Sequence, residues 1–537
     1  MSCNYFPNTP REASSIKNPA IQLFGNRLFS DQTVSELLAE FLLVIFSPKR
    51  IGMNTEFISA LPIKTILMNW STERLEYAPK TRLNLKLFSF LGASRLDSRH
   101  YTHRFHYQTL VQEFKGRINI GSGETEDVIR TIENLFLGFQ GAGSGRTWCA
   151  QSFLPVSPSL LAGESIWKET KARKSNNEDW FQFIDTQSSF FDMNQHLFFA
   201  RGGELLYLQV CNALRQPKDK IVTWCREKNL GFNRNEQDPD WLHAELDKAL
   251  ENFKSNCPNV LAELAEFIDN QLDSETPDRT DWVGENRRFV AVGWCNEESW
   301  REGYLFTVDL LRLLQTSIDT VERIYLLETA CAMQALRTLA MQSSRTIEDV
   351  KTMSWPGYRF VISSPEDRRP AVKRLSQNSV KAIEKQIYKA IRCEQVNLPE
   401  DEVERLKILK QADKSYGHKL FLGLSKRIGF IVPKRGTGAR FILNEQLLRF
   451  LVITTVPLEG RLTFDTFKSL LEHRYGLVFD SNGLDRASQW LNGKGIYLPV
   501  DTDAWLQRML EAAGFLIHLS DSCALVNNPA DKIEEAK

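Results

Sequence analysis

Apolar residues recur every three or four positions along most of the chain, which is the spacing of one buried face of an α-helix. Asp31 or Thr33 can act as the N-cap of the first such helix. A longer tract at 299–345 predicts either one long helix or two helices joined near Asp319. The apolar positions of the first helix are Val34, Leu37, Leu38, Phe41, Leu42 and Ile45.

Near the C-terminal end, the pattern changes from helices to a helix followed by a hairpin. Residues 400–412 and 418–427 are predicted helices, and two β-rich runs follow at 429–433 and 439–443. The sequence between these runs is Lys-Arg-Gly-Thr-Gly, and its glycines tolerate the positive φ angles of a tight turn. A helix followed by a basic hairpin is typical of a winged helix-turn-helix. The residues assigned to the inner face of helix 400–412 are Val403, Leu406, Leu409 and Ala412.

A second unit of this kind follows, with helices at 463–475, 484–491 and 502–513 and a hairpin that pairs 515–519 with 523–526. Its turn carries no cations, which favours protein contact or simple packing. The predicted fold class is therefore mainly α: a multi-domain helical protein with C-terminal winged-helix-like modules that carry short β-hairpins.

Composition divides the chain into six predicted ranges. Residues 1–18 form a flexible arm, and 528–537 form a disordered tail. The four domains between them are an N-terminal helical domain at 19–222, a central helical domain with an acidic segment at 223–366, a basic winged-helix-like domain at 367–456 and a second winged-helix-like domain at 457–527.

Charge is strongly segregated, although 67 Lys and Arg balance 67 Asp and Glu over the whole chain. Residues 236–281 hold thirteen acids and three cations. The balance reverses at 368–392, with eight cations and one acid, and at 405–449, with eleven cations and two acids. A phosphate backbone is repelled by the first segment and attracted by the other two, so we expect a polyanionic partner.

The residues predicted to contact nucleic acid lie on helix 418–427 and on the basic hairpin. A helix that enters a DNA groove carries its contacts on the outer face, and the loop of a wing reaches phosphates or the minor groove. DNA is the expected partner, although the residues do not distinguish it from RNA. The candidate residues are Lys419, Lys426, Arg427, Lys434, Arg435 and Arg440.

Catalytic alternatives have weaker support. The acidic segment 236–281 is compatible with a metal-dependent nuclease, but its apolar residues recur at helical intervals, which favours a solvated acidic helix face. His100, His103 and His106 would share a helix face, yet neighbouring arginines disfavour a metal. The glycine-rich loop 138–147 departs from a phosphate-binding loop in two residues and in its helical context. No cofactor is predicted, and a non-enzymatic protein is favoured.

Cysteine usage and hydropathy indicate the compartment. None of the nine cysteines forms a CxxC pair, which fits a reducing cytoplasm. The longest apolar run, 37–46, is shorter than the roughly 20 residues of a membrane-spanning helix. We therefore expect a cytoplasmic protein without a membrane partner.

Residues 18–50 (NPAIQLFGNRLFSDQTVSELLAEFLLVIFSPKR) and 82–107 (RLNLKLFSFLGASRLDSRHYTHRFHY) resemble segments of an uncharacterised component of Druantia-type bacterial anti-phage defence systems. The resemblance covers about the first quarter of the chain and implies no functional residue. It implies an antiviral role and partners that include a large helicase. Two functions then remain beside a hidden enzyme: a DNA-binding adaptor and a pure protein-interaction scaffold.

Overall fold

The computed structural model describes residues 17–25, 28–30, 32–52, 55–69, 75–79, 202–255, 289–347, 355–364, 370–491, 503–520 and 523–528, with short stretches at 4–7, 148–149, 161, 165–167 and 191–192. These residues are mainly helical with a few short strand pairs, which confirms the predicted fold class. The helices are α1 (Pro19–Phe24), α2 (Val34–Phe46), α3 (Lys64–Asn69), α4 (Gly202–Leu214), α5 (Lys218–Glu227), α6 (Pro239–Ser255), α7 (Trp300–Gln315), α8 (Thr320–Ile347), α9 (Pro370–Ala390), α10 (Glu402–Ser415), α11 (His418–Arg427), α12 (Glu445–Thr455), α13 (Phe464–Tyr475), α14 (Ser481–Trp490) and α15 (Ala504–Ala512).

The strands form small sheets around the helices. The strands are β1 (Tyr5–Phe6), β2 (Lys49–Ile51), β3 (Thr55–Phe57), β4 (Leu75–Tyr77), β5 (Trp148–Cys149), β6 (Ser165–Trp167), β7 (Phe191–Asp192), β8 (Val290–Ala291), β9 (Cys295–Asn296), β10 (Phe360–Val361), β11 (Ile431–Val432), β12 (Arg440–Phe441), β13 (Arg461–Thr463), β14 (Leu477–Val478), β15 (Leu516–Ser520) and β16 (Cys523–Asn527). One four-stranded antiparallel sheet has the order β3-β2-β4-β8, and a three-stranded sheet near the C-terminal end has the order β13-β16-β15. β10 and β14 pair in parallel.

Local capping decides where the central helices begin. Thr33, rather than Asp31, caps α2, and its side chain and that of Glu36 form a reciprocal capping box. The tract at 299–345 is two helices, α7 and α8. The carboxylate of Asp319 accepts a hydrogen bond from the backbone N–H of Val321 at the start of α8. The two-helix interpretation is therefore confirmed.

Close approach between helices requires glycine at two positions. A Cβ on Gly203 of α4 would lie 2.4 Å from the backbone nitrogen of Phe41 in α2. A Cβ on Gly303 of α7 would lie 2.3 Å from the carbonyl oxygen of Gln209 in α4. These contacts join α2, α4 and α7 into one packed layer.

The larger of two hydrophobic clusters among the described residues runs from Phe6 to Val526 and takes in all four predicted domain ranges. Phe6 belongs to the predicted arm, where β1 pairs with β9. The domain boundaries themselves stay predictions. No helix within the described ranges is long and apolar enough to cross a membrane.

Buried ion pairs tie the central helices together. Glu236 and Arg312 are about 5% exposed and form a two-point salt bridge, with the Arg312 Nε 2.7 Å from Oε1 of Glu236. Arg312 also donates to the carbonyl oxygens of Thr454 and Thr455 in α12. The prediction of a solvated acidic face is therefore wrong for Glu236, because a long-range partner draws its carboxylate into the core.

Helix α10 departs from its predicted orientation. Ala412 is buried, but Val403 and Leu406 are 76% and 60% exposed, so their assignment to an inner face is wrong. α10 packs against α1 and α11. The apolar residues of α10 do share one side of the helix, but α1 and α11 do not cover its N-terminal part, which stays exposed to solvent.

Candidate nucleic-acid interface

Helix α9 presents a polar stripe to solvent. Its opposite side is buried through residues such as Val372, Val380 and Ile387. Positions separated by four, three, four and three residues lie on one side of a helix. At 1.5 Å per residue, the part from Arg374 to Lys385 extends over roughly 16 Å. The exposed residues with this spacing are Arg374, Asn378, Lys381, Lys385 and Tyr388.

Helix α11 has the bounds that its sequence predicts, His418–Arg427. Lys419 is exposed and Lys426 is half-buried. Burial raises the pKa of the Glu384 carboxyl group on α9, and the charges of Lys426 and Lys381 oppose that rise. The charges of Lys426 and Lys381 thus act on one carboxyl group of α9, and α11 packs against α9.

The loop between β11 and β12 carries two exposed candidate cations. Val432 pairs with Arg440 at the base of the hairpin, and both Lys434 and Arg435 are exposed. Gly436 and Gly438 have φ angles of 96° and 83°, in the left-handed region that favours glycine. The hairpin at this position is confirmed.

This hairpin packs on α9. The backbone N–H of Phe441 donates to Oγ of Ser376 at 2.9 Å. A Cβ on Gly438 would lie 3.4 Å from Nε2 of Gln377. Arg440 is half-buried, and its Nε has no hydrogen-bond partner among the described residues. The C-terminal end of the loop, at Gly438, therefore lies beside the N-terminal half of α9.

Arg427 has a different environment from the other candidates. Its guanidinium donates to the carbonyl oxygen of Ser30 at 3.1 Å and to that of Gln32. Close by, the ring of Phe29 meets that of Tyr416 edge-on, with centroids 5.2 Å apart. Arg427 thus fastens the segment before α2 to α11, and the geometry assigns it a structural contact.

Two further cations of the basic half are also engaged within the protein. Arg392 forms a two-point salt bridge with Asp413, with N···O distances of 3.0 and 2.6 Å. Arg449 lies 2.6 Å from the Glu322 carboxylate of α8. The segment charge therefore overstates the number of cations that can meet a phosphate backbone.

Among the described residues, no three His, Cys, Asp or Glu side chains lie together as metal ligands. Burial raises the pKa of Cys225 and of Cys295 to about 12, so both thiols are protonated at neutral pH and are weak nucleophiles. The three histidines at 100–106, the glycine-rich loop 138–147 and acidic residues 256–281 lie outside the described residues.

The second hairpin, β15–β16, has apolar rather than cationic exposure. Leu519 is 60% exposed and Ile517 is 36% exposed. This surface has the composition of a protein contact and differs from the first hairpin in the way that the sequence predicts.

Comparison with family models, curated proteins and solved structures finds no match to this chain.

Sequence reasoning placed the candidate site on α11 and the hairpin, and it omitted α9. The cations of α9 were visible as part of the basic run, and their spacing of seven and four residues was the available signal. We call the cations of α9, α11 and the hairpin that are candidates for phosphate contact the basic face. Its members are Arg374, Lys381, Lys385, Lys419, Lys426, Lys434, Arg435 and Arg440.

Proposed function

We propose that this protein binds nucleic acid, with DNA as the expected form, through the basic face, and that it acts as a non-enzymatic adaptor. The observation that carries the proposal is that α9, with exposed cations along one face, packs against both of the other cation-bearing elements, the β11–β12 hairpin and α11. Ammonium and guanidinium groups arranged in this way release counterions when they meet phosphates, which favours binding.

The expected recognition is of the backbone rather than of base sequence. The exposed cations of α9 lie along one helix face, and Lys434 and Arg435 are exposed in the loop of the hairpin that packs on α9. Phosphate contacts position a protein on a duplex but carry no sequence information directly. We therefore expect strongly salt-dependent binding with little preference among sequences.

Salt titration of binding tests this proposal. Affinity for a short labelled duplex is measured by fluorescence anisotropy between about 50 and 200 mM salt for the unmodified protein, Lys434→Ala and Arg435→Ala. Each lost phosphate contact should flatten the log–log slope by about 0.9. Arg226→Ala, at an exposed position of α5, removes the same charge elsewhere and serves as the control. Equal slopes for all four proteins would reject the proposal.

The adaptor role has support from exposed apolar side chains. Val403 and Leu406 on α10 and Leu519 on β15 are each at least 60% exposed. Such residues have the composition of a protein contact surface, and the resemblance to anti-phage defence components implies protein partners, including a helicase. Copurification with the products of neighbouring genes, compared between the unmodified protein and Leu406→Glu, tests this part. A pure scaffold would retain those partners and show no salt-dependent nucleic-acid binding.

The nuclease alternative makes an opposite prediction. A metal-dependent enzyme would cleave DNA in Mg²⁺ or Mn²⁺ and stop when a chelator is added. The adaptor should leave the oligonucleotide intact under both conditions. Cleavage that a chelator abolishes would replace the adaptor proposal with the enzymatic one.

A further inference from the structure

The exposed stripe of α9 ends in an aromatic residue. Tyr388 follows Lys385 by three positions and Lys381 by seven, so it lies on the same side of the helix. Its side chain is 45% exposed although it is a large hydrophobic group. An accessible aromatic ring at the end of a row of cations is unusual for a surface that only needs to be soluble.

The ring is held in place from behind. The guanidinium carbon of Arg392 lies 3.5 Å from the centroid of the Tyr388 ring, and Nη1 of Arg392 also donates to the Tyr388 carbonyl oxygen at 3.1 Å. Asp413 fixes this guanidinium through two hydrogen bonds. The imidazole of His418 meets the tyrosine edge-on, with centroids 6.5 Å apart. Little side-chain entropy remains to be lost when a ligand stacks on the ring.

Cations flank the ring on both helices. Lys385 and Lys389 are exposed on α9. Burial lowers the pKa of His418; the Asp413 charge opposes this shift, and the charges of Lys419 and Arg392 add to it. Lys419, which is exposed on α11, therefore lies near the His418 ring that meets Tyr388. A fixed aromatic ring with ammonium groups around it matches the chemistry of a single strand, whose bases stack while its phosphates meet cations.

We propose that Tyr388 is a stacking site for an unpaired nucleobase, so that the partner at this end of the basic face is single-stranded nucleic acid. The inference rests on the proposed function and narrows its substrate class. Bases of an intact duplex are stacked inside the helix and cannot reach the ring. The duplex-binding part of the face and the stacking site therefore respond to different substitutions.

The test compares Tyr388→Ala with Tyr388→Phe on short single-stranded and double-stranded oligonucleotides of the same length, in DNA and in RNA. Loss of the ring should weaken single-strand binding by about 5- to 150-fold, the range measured for one stacked base. Duplex binding and the salt slope should stay unchanged, because no charge is lost. Tyr388→Phe retains the ring and should bind as the unmodified protein does. The inference holds if either DNA or RNA shows this pattern.

Equal losses for single and double strands, or no loss for single strands, would overturn the stacking site. If Lys434→Ala still flattened the salt slope, the proposed function would stand without it. A second measurement covers the case in which Tyr388→Ala does not fold. A single strand that is abasic throughout is compared with the normal strand of the same length on the unmodified protein, and loss of all bases should reproduce the loss of affinity. Equal affinity for the two strands would contradict the inference.

Discussion

Substitution of Arg427 by alanine separates a structural cation from a nucleic-acid contact. The guanidinium donates to two backbone carbonyl oxygens, those of Ser30 and Gln32. A hydrogen bond from a charged group contributes about 1.5–3 kcal/mol when it is protected from water. One of these bonds is exposed and the carbonyl groups can be rehydrated, so we expect a total loss of about 1–3 kcal/mol. The salt slope of nucleic-acid binding should not change.

Hydrogen exchange reports this loss where it occurs. The amide of Ser30 donates to the carbonyl oxygen of Ser415 at 2.9 Å, so peptides that contain the Ser30 amide should exchange faster in Arg427→Ala. Arg427→Lys keeps the charge but loses the forked geometry and should show part of the effect. Lys426→Ala serves as the control at the neighbouring position. It should flatten the salt slope of nucleic-acid binding and leave the exchange of the Ser30 amide unchanged. A flatter slope in Arg427→Ala with unchanged exchange would refute this reasoning.

Two further predictions concern the buried charges. Glu236→Gln should lower the free energy of unfolding by about 3–5 kcal/mol in urea titrations, because it leaves Arg312 in the core without its carboxylate. Burial raises the pKa of Glu236, but Arg312 outweighs that effect and leaves the pKa lowered, so this contribution should be lost as the pH falls through the folded-state value. Burial lowers the pKa of Lys49 to about 7, so the unfolded chain binds more protons between about pH 7 and 10 and stability should rise with pH there, by up to about 1.4 kcal/mol per unit. Lys49→Met should remove that slope, and an identical slope in both proteins would contradict the assignment.

Local sequence information was sufficient for several elements. The bounds of α11, the division of 299–345 and the β15–β16 hairpin follow from apolar spacing, capping and turn residues that lie close together in the chain. The positive φ of Gly436 and Gly438 confirms the turn chemistry. These features depend on neighbours within a few residues, which a single sequence displays.

Contacts between distant segments could not be predicted in this way. β10 pairs with β14 across more than a hundred residues, and no periodicity indicates such a partner. The partners of Arg427 and Glu236 could not be predicted either, because each lies far away in the sequence. Val403 and Leu406 show that an apolar helix face identifies a side but not the neighbour that covers it.

The most direct test of the basic face compares two triple variants on the same oligonucleotide. One replaces Arg374, Lys381 and Lys385 of α9 with alanine, and the other replaces Lys434, Arg435 and Arg440 of the hairpin. If both elements contact one polyanion, each variant should flatten the log–log salt slope by up to about 2.7, the value for three phosphate contacts. If the α9 variant retained the slope of the unmodified protein, these cations would not form a shared binding surface.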